Sequence, residues 1–300
     1  MPYFTIFTPT YNRAHTLPAL YQSLCRQTFL DFEWLIVDDG SIDHTQALVS
    51  GWQSAGSPFP IIYFKKKNGG KPRAINFGVQ HAAGRFFFLM DSDDRLLPQA
   101  MEKMYGWCRE IEEEPAIIGV GAARGDSAGR YLKGRPPATG PGGYVDATNL
   151  QRKDYALDAD MCEAYKTALF RRFPMAEWPG EKFAPEQIAL NNIALAGYRL
   201  RWHGDIIYLC DYLEDGLTRG SARLEKQNPM GYAMMYNHML LYPGLTRKEK
   251  FYAACQCAAL SIYGRHAGYL LKSNSPGYTL AALPAGCVLA IRRRLQFREV

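Results

Sequence analysis

Three aspartates close an apolar run in RFFFLMDSDDRLLP, residues 85–98. Phe86 to Met90 lead straight into Asp91, Ser92, Asp93 and Asp94, and the chain then turns apolar again. In an extended segment residues i and i+2 point the same way, so Asp91 and Asp93 face one side. Left alone, the two carboxylates would repel each other. A bound divalent cation removes the conflict, and hard carboxylate oxygens suit Mn2+ or Mg2+. Such an ion keeps several waters and completes its shell with substrate phosphates. The alternative is that the aspartates cap a helix starting near Leu96; Asp94 fits a cap and a ligand equally well.

Three further polar clusters stand in comparable places. TPTYNR (8–13), DDGS (38–41) and KKKNGGKPR (65–73) each follow an apolar stretch. VDDGS by itself reads equally well as a turn. NGGKPRAINFG places Lys71 and Arg73 at the start of a helix, where backbone amides and basic side chains can meet phosphate. The run Lys65–Lys67 is expected to be a solvated basic face.

The elements that must position these clusters alternate. Strands are expected at 3–8, 32–39, 60–65 and 85–91, separated by helical spacing over 15–28, 41–53 and 71–83. Strand–helix alternation implies a parallel sheet with helices on both faces, and uninterrupted apolar strands agree with burial on both sides. Ligand sites in such sheets gather at the carboxyl ends of the strands, where all four polar clusters fall. Beyond about residue 115 the texture changes. The Gly-, Pro- and Arg-rich stretch 123–144 is expected to be a mobile loop or lid. The segment 163–173 is expected to be helical, as is one beginning at Glu186, capped by Gly197 and followed by a strand. The C-terminal third is helical and aromatic, and there is no internal repeat.

Composition narrows the class. The chain has 300 residues, 47% apolar and 13% aromatic, enough for a sizeable core and too apolar for disorder. A net charge of +6 suits an acidic small molecule, an anionic membrane surface or a nucleic acid, and selects none of them. An organised basic stripe with interleaved aromatics is missing, so no nucleic-acid partner is expected. The seven cysteines are scattered and lack zinc-ligand spacing; reduced thiols and a cytoplasmic location are expected. The first residues lack a signal-peptide pattern, and no apolar run is long enough to span a bilayer.

TPTYNR, VDDGS, NGGKPRAINFG and FFFLMDSDD, in this order and spacing, resemble the motifs of family 2 glycosyltransferases of the bacterial cell-surface polysaccharide type. The resemblance is close over residues 3 to about 110 and looser to about 220. It implies an α/β protein of the GT-A nucleotide-diphospho-sugar transferase fold: a mostly parallel central sheet flanked by helices, with a helical C-terminal extension. The implied domains are a glycosyltransferase domain over 1–220, divided into a nucleotide-sugar half (1–110) and an acceptor half (111–220), and a helical region over 221–300.

What the resemblance implies for single residues follows position by position. Thr8, Pro9, Tyr11, Asn12 and Arg13 would line the nucleotide pocket, with Tyr11 packing on the base. Asp39 would hydrogen-bond the base, commonly uracil. Lys71 and Arg73 match basic positions near the nucleotide, and Asn76 lies on the same segment. Asp91 and Ser92 would lie near the nucleotide, and Asp93 would be the principal metal ligand, with Asp91 beside it. The family's general base corresponds to Glu186, although Pro185 stands where the family usually has a first acid. Glu181, Asp158, Asp160 and Glu163 are the fallback bases, and Asp215 or Arg219 would help close over the diphosphate.

The implied function is inverting, metal-dependent transfer of a sugar from a nucleotide-diphosphate donor, with a UDP-sugar favoured. The acceptor would be a saccharide or a polyprenyl-diphosphate-linked saccharide in cell-surface polysaccharide synthesis. Two other classes compete: a sugar nucleotidyltransferase, which usually carries a glycine-rich basic loop after its first strand where TPTYNR has no glycine, and a non-catalytic nucleotide-sugar or lipid-binding protein. The tail at 278–298 joins an apolar stretch, interrupted by Pro284 and Gly286, to Arg292, Arg293 and Arg294. It either lies peripherally on the inner face of the plasma membrane or packs on the domain as an ordinary helix.

Overall fold

The computed structural model describes residues 1–132, 135–210 and 221–297. In chain order the elements are β1 (Phe4–Thr10), α1 (Leu17–Cys25), β2 (Phe32–Asp38), α2 (Thr45–Ala55), β3 (Ile61–Lys65), α3 (Lys71–His81), β4 (Phe86–Leu89), β5 (Arg95–Leu96), α4 (Ala100–Ile111), β6 (Ile117–Gly125), β7 (Tyr144–Ala147), β8 (Met161–Lys166), α5 (Thr167–Phe170), α6 (Gln187–Leu195), β9 (Arg199–Leu209), α7 (Ser221–Gln227), α8 (Pro229–Met239), α9 (Arg247–Tyr263) and α10 (Pro276–Gln296).

The chain divides into two compact units: Met1–Pro174 with Asn192–Asp211, and Met175–Asn191 with Tyr212–Val300. The segment 175–191 groups with the C-terminal helices in the second unit.

The first unit holds one sheet, in the order β3-β2-β1-β4-β8-β6-β9-β5, with β7 also paired to β9. β3, β2, β1 and β4 are parallel, as the alternation requires. β2 is buried along its whole length and β1 nearly so, which matches strands covered on both faces. From β8 onward the sheet is mixed: β8 runs antiparallel to both β4 and β6, whereas β6 and β9 are parallel.

One face of β1, β2 and β4 presents Phe4, Ile6, Trp34, Ile36 and Phe88 to Leu17, Leu20 and Leu24 of α1 and to Met101 and Met104 of α4. On the other face Phe7 stacks on Phe87 at 5.0 Å. Gly78 lets α3 settle there, since a Cβ at that position would meet the Phe7 ring at 2.1 Å. This close seat fixes where the N-terminus of α3, and so Lys71, lies along β1.

Two sequence expectations are corrected. Residues 161–166 are a strand, and only Thr167–Phe170 are helical, where a helix was expected over 163–173. The segment enters the middle of the sheet, and pairing on both its edges outweighs its local helical character. No helix starts at Leu96 either: Arg95 and Leu96 pair with Leu209 and Tyr208, and α4 begins at Ala100 with Gln99 as its N-cap. Asp94 is therefore not a helix cap. The expected helix after Glu186 is present as α6, Gly197 follows it with φ +87°, and β9 comes next.

In the second unit, both carboxylate oxygens of Glu181 accept from the first amides of α8, Met230 and Gly231, each at 2.8 Å. Asn228 Oδ1 returns the contact by accepting from the amides of Lys182 and Phe183 at 2.9 and 3.0 Å. A Cβ at Gly231 would strike the Phe183 carbonyl at 2.2 Å, so the two segments touch backbone to backbone. Among the described residues no helix is long and apolar enough to cross a membrane.

Candidate active site

The carboxyl ends of β1, β2 and β4 meet on one edge of the parallel half of the sheet, and the loops after them are tied together. Asn12, in the left-handed region at φ +54°, donates its amide to Ser41 Oγ at 2.8 Å and accepts from the Ile42 amide at 2.9 Å. The Ala14 amide donates to Asp43 at 3.0 Å. The loop after β1 is thus knotted to the loop after β2. Tyr11 is 47% exposed, an aromatic face left open at this rim. Pro9 is half-buried, and Arg13 lies close enough to Asp93 to favour its charged form. Thr8 turns inward: its hydroxyl accepts from the Trp34 indole at 3.0 Å inside the core. Its neighbour Thr10 ends β1 with a buried hydroxyl that has no hydrogen-bond partner.

Asp39 organises the next loop. Its carboxylate accepts from the Gly69 amide at 2.9 Å, from the Gly70 amide at 2.6 Å and from Lys66 Nζ at 2.5 Å. Gly40, at φ +89°, lets the two loops close, because a Cβ there would reach the Asn68 amide at 2.9 Å. Arg73 donates to the Gly69 carbonyl at 2.7 Å, closing the same turn from the helix side. The Asn68 side-chain oxygen is buried without a partner. Asp38, which motif reading passed over, accepts from the Tyr63 hydroxyl at 2.5 Å and the Ser41 amide at 2.6 Å.

The aspartate cluster lies just past β4. Lys71, first residue of α3, places Nζ 2.7 Å from Asp91 Oδ1. Arg124 of β6 brings Nη1 to 3.5 Å from both Asp91 Oδ2 and Asp94 Oδ2. Burial would raise the Asp91 carboxyl, but Lys71 and Arg124 pull it down to about 2. Asp94 behaves in the opposite way: burial and the Asp91 charge push it up to about 7 against Arg124. Asp93 is raised by burial and by Asp91, with Arg13 and Lys71 opposing. Ser92 is buried between them in sequence.

Arg124 and Tyr208 were invisible to motif reading, and the structure makes them the back wall of the cluster. The Tyr208 hydroxyl donates to Asp94 Oδ2 at 2.6 Å and accepts from the Asp91 amide at 3.0 Å. The Arg124 guanidinium lies over the Tyr208 ring at 4.3 Å, and its Nε donates to the Met161 carbonyl at 2.9 Å. Arg124 falls at the start of the stretch expected to be a loop, whereas it lies in β6.

The hard carboxylate oxygens of Asp91 and Asp93 are of the kind that suits a hard divalent cation. Both oxygens of Asp91 already face cations, while Asp93 is raised first by burial and then by the Asp91 charge, against Arg13 and Lys71, an effect that a bound cation would relieve. Among the described residues no group of three or more metal-ligating side chains exists.

Glu186 stands half-buried immediately before α6, its carbonyl accepting from the Leu190 amide at 3.1 Å. Of the fallback bases, Glu181 is taken up by the α8 amides, Asp158 pairs with Arg135 at 3.0 Å, and Glu163 lies 3.7 Å from Arg152. Asp160 is exposed and Asn76 is half-buried on α3. Asp215 and Arg219 lie outside the described residues.

A family model described as glycosyl transferase family 2 matches residues 5–177. The chain is 26% identical to the glycosyltransferase GlyG of Streptococcus pneumoniae, over 39% of this chain and 38% of that one. It is 29% identical to the minor teichoic acid biosynthesis protein GgaB of Bacillus subtilis, over 39% of this chain and 13% of that one. The match to an uncharacterized glycosyltransferase of Rickettsia typhi covers 36% of that protein, so the shared part is about a third of such relatives or less. In structure, the chain resembles S. aureus TarS 1-349 in complex with UDP-GlcNAc, with a TM-score of 0.61 at 19% identity over 96% of this chain and 81% of that one. It also resembles the mannosyltransferase PcManGT of Pyrobaculum calidifontis in complex with GDP-Man and Mn2+, with a TM-score of 0.58 at 18% identity over 97% and 87%.

Proposed function

The chain belongs to glycosyl transferase family 2, and from that premise we propose that it transfers a sugar, with inversion, from a nucleotide-diphosphate donor to a saccharide or lipid-linked saccharide acceptor in cell-surface polysaccharide synthesis. The observation that carries the proposal is the convergence at the strand ends: Lys71 and Arg124 hold Asp91 ionised, and Asp93 stands two residues on, raised by burial and by the Asp91 charge. A half-buried carboxylate pair placed in this way suits a metal–diphosphate complex better than a turn or a cap. UDP-linked sugars are the first donors to test.

In this scheme Tyr11 offers its exposed ring to the base. Asp39 acts by holding the Gly69–Gly70 turn, which carries Lys71 and Arg73 toward the phosphates. A bound Mn2+ or Mg2+ would supply neutralisation of the leaving diphosphate. Glu186 is the general base on the strength of the family resemblance. The acceptor oxygen forms its bond to the anomeric carbon as the bond to the diphosphate oxygen breaks, and the electron pair leaves with the nucleoside diphosphate. The acceptor proton passes to the Glu186 carboxylate. A cytoplasmic place on the inner face of the plasma membrane goes with a polyprenyl-diphosphate-linked acceptor.

The test is nucleoside-diphosphate release from a panel of sugar nucleotides in the presence of membrane-extracted acceptors, with proton NMR of the product's anomeric signal. Inverted product from the wild type, and turnover reduced by roughly 10²–10⁴-fold in Glu186→Gln with donor affinity unchanged, supports the proposal. Retained configuration, or full turnover in Glu186→Gln, overturns the mechanism.

A further inference from the structure

α10 has two unlike faces. Thr279, Ala282, Gly286 and Ala290 are buried, and these small side chains bring the helix tightly against α9. A Cβ added at Gly286 would come within 2.5 Å of the Ala258 methyl. On the other side stand Leu280, Pro284, Cys287, Val288, Ile291 and Leu295, all exposed. Leu280 is 71% exposed and Val288 66%. At about 100° per residue the six fall within an arc of roughly 100°, opposite the buried face. A helix facing water normally carries its polar residues on that arc, and this one carries none.

The charges lie at the borders. By the same helical repeat, exposed Arg292 and Arg294 flank the arc on its two sides near the C-terminal end. Arg293 turns inward, donating from Nε to Glu225 at 2.7 Å and from Nη2 to Gln256 at 2.6 Å. α10 contains no acidic residue. The exposed apolar arc is therefore edged only by positive charge.

We propose that α10 docks in the plane of an anionic lipid surface, its exposed apolar arc at the acyl boundary and Arg292 and Arg294 among the headgroups. Charge complementarity selects this occupant. An anionic leaflet answers the two arginines, and their long stems let the guanidinium groups reach headgroups while the arc stays in contact with acyl chains. A second copy of the same helix offers no acid to either arginine. The small-residue face remains on α9, so the helix can serve the protein and the lipid at once. This deepens the proposal of a lipid-linked acceptor, yet it stands on the helix face and not on the roles of Asp93 or Glu186.

Cys287 is the single exposed cysteine, with Cys25 half-buried and five others buried. An environment-sensitive fluorophore on Cys287 of the full chain therefore reports on the arc directly, with labelled Cys287→Ser as the blank. The titrants are vesicles of phosphatidylcholine alone and of phosphatidylcholine with phosphatidylglycerol, with co-sedimentation of unlabelled protein alongside. The expected result is a blue shift and sedimentation with the phosphatidylglycerol vesicles, weakened by salt. Partitioning should fall roughly tenfold in Val288→Ser/Ile291→Ser, and by a similar factor on anionic vesicles only in Arg292→Gln/Arg294→Gln. These positions are exposed, so nucleotide binding in the variants should match wild type and show that the fold is kept. Three results overturn the proposal: no association with anionic vesicles, equal association with both vesicle types, or a lipid-free blue shift that tracks dimer mass in light scattering. None of these bears on nucleotide binding, so failure here and failure of the active-site assignment are told apart.

Discussion

Lys71 Nζ lies 2.7 Å from Asp91 Oδ1, joining the first residue of α3 to the loop after β4. With Arg124 on the other oxygen, this contact makes Asp91 an anion under all ordinary conditions, held down to about 2. The pair sits where the parallel sheet presents its strand ends, so it both shapes the rim and sets its charge.

Lys71→Met should weaken nucleoside-diphosphate binding by roughly tenfold, since a charge-assisted partner near the phosphates is lost. It should also cost about 1–2 kcal/mol of stability at neutral pH. A folded-state carboxyl lowered from its unfolded value stabilises above the unfolded pKa, and that stability is lost as pH falls through the folded value. The wild-type advantage should accordingly be full above about pH 4 and shrink toward pH 2. Calorimetry and denaturant unfolding at several pH values check both, and an advantage that grows on acidification would contradict the pairing.

Arg124→Met and Tyr208→Phe should differ in size. Removing Arg124 takes the shared cation from half-buried Asp91, which keeps Lys71, and from buried Asp94, for which a loss of about 3 kcal/mol is expected. Removing the Tyr208 hydroxyl deletes one donor to Asp94 and one acceptor for the Asp91 amide, at about 1–2 kcal/mol. Urea denaturation orders the two variants; an Arg124→Met protein as stable as wild type would mean that the guanidinium carries no load.

The uneven legibility of the sequence has a physical cause. β1, β2 and β4 are continuous apolar runs between helices, so their pairing and the rim beyond them follow from local pattern. β8 is a strand because β4 and β6 bond it on both edges, a condition no local window contains. Arg124 and Tyr208 reach Asp91 from 33 and 117 residues away along the chain, and neither sits in a motif. Asp39 stands in a readable motif, but its grip on the Gly69 and Gly70 amides depends on how two loops close. For the tail the alternatives were membrane or domain; the helix has one face for packing and another that is open.

His203 supplies a pH-dependent prediction away from the rim. It is buried, stacked on Trp107 at 4.1 Å, with Nε2 unpartnered, and burial lowers it to about 4. The unfolded chain binds a proton below about pH 6.5 that the folded chain refuses. Stability should thus be full above that pH and fall by roughly 2 kcal/mol as pH drops toward 4. His203→Phe should flatten this part of the profile, and an unchanged slope in denaturant titrations from pH 7.5 to 4.5 would show that another group is responsible.

The central claim is that the carboxylates after β4 receive a metal-bound nucleoside diphosphate, and titration calorimetry on UDP, GDP, dTDP and CDP tests it most directly. Each nucleotide is titrated with and without Mn2+ into wild type and Asp93→Ala. One nucleotide should bind wild type in a metal-dependent way, and Asp93→Ala should lose that binding by at least about a hundredfold while its unfolding transition stays intact. Binding that ignores both metal and Asp93, or no binding of any of the four, would contradict the account and leave the aspartate cluster as a structural joint between β4, β6 and β9.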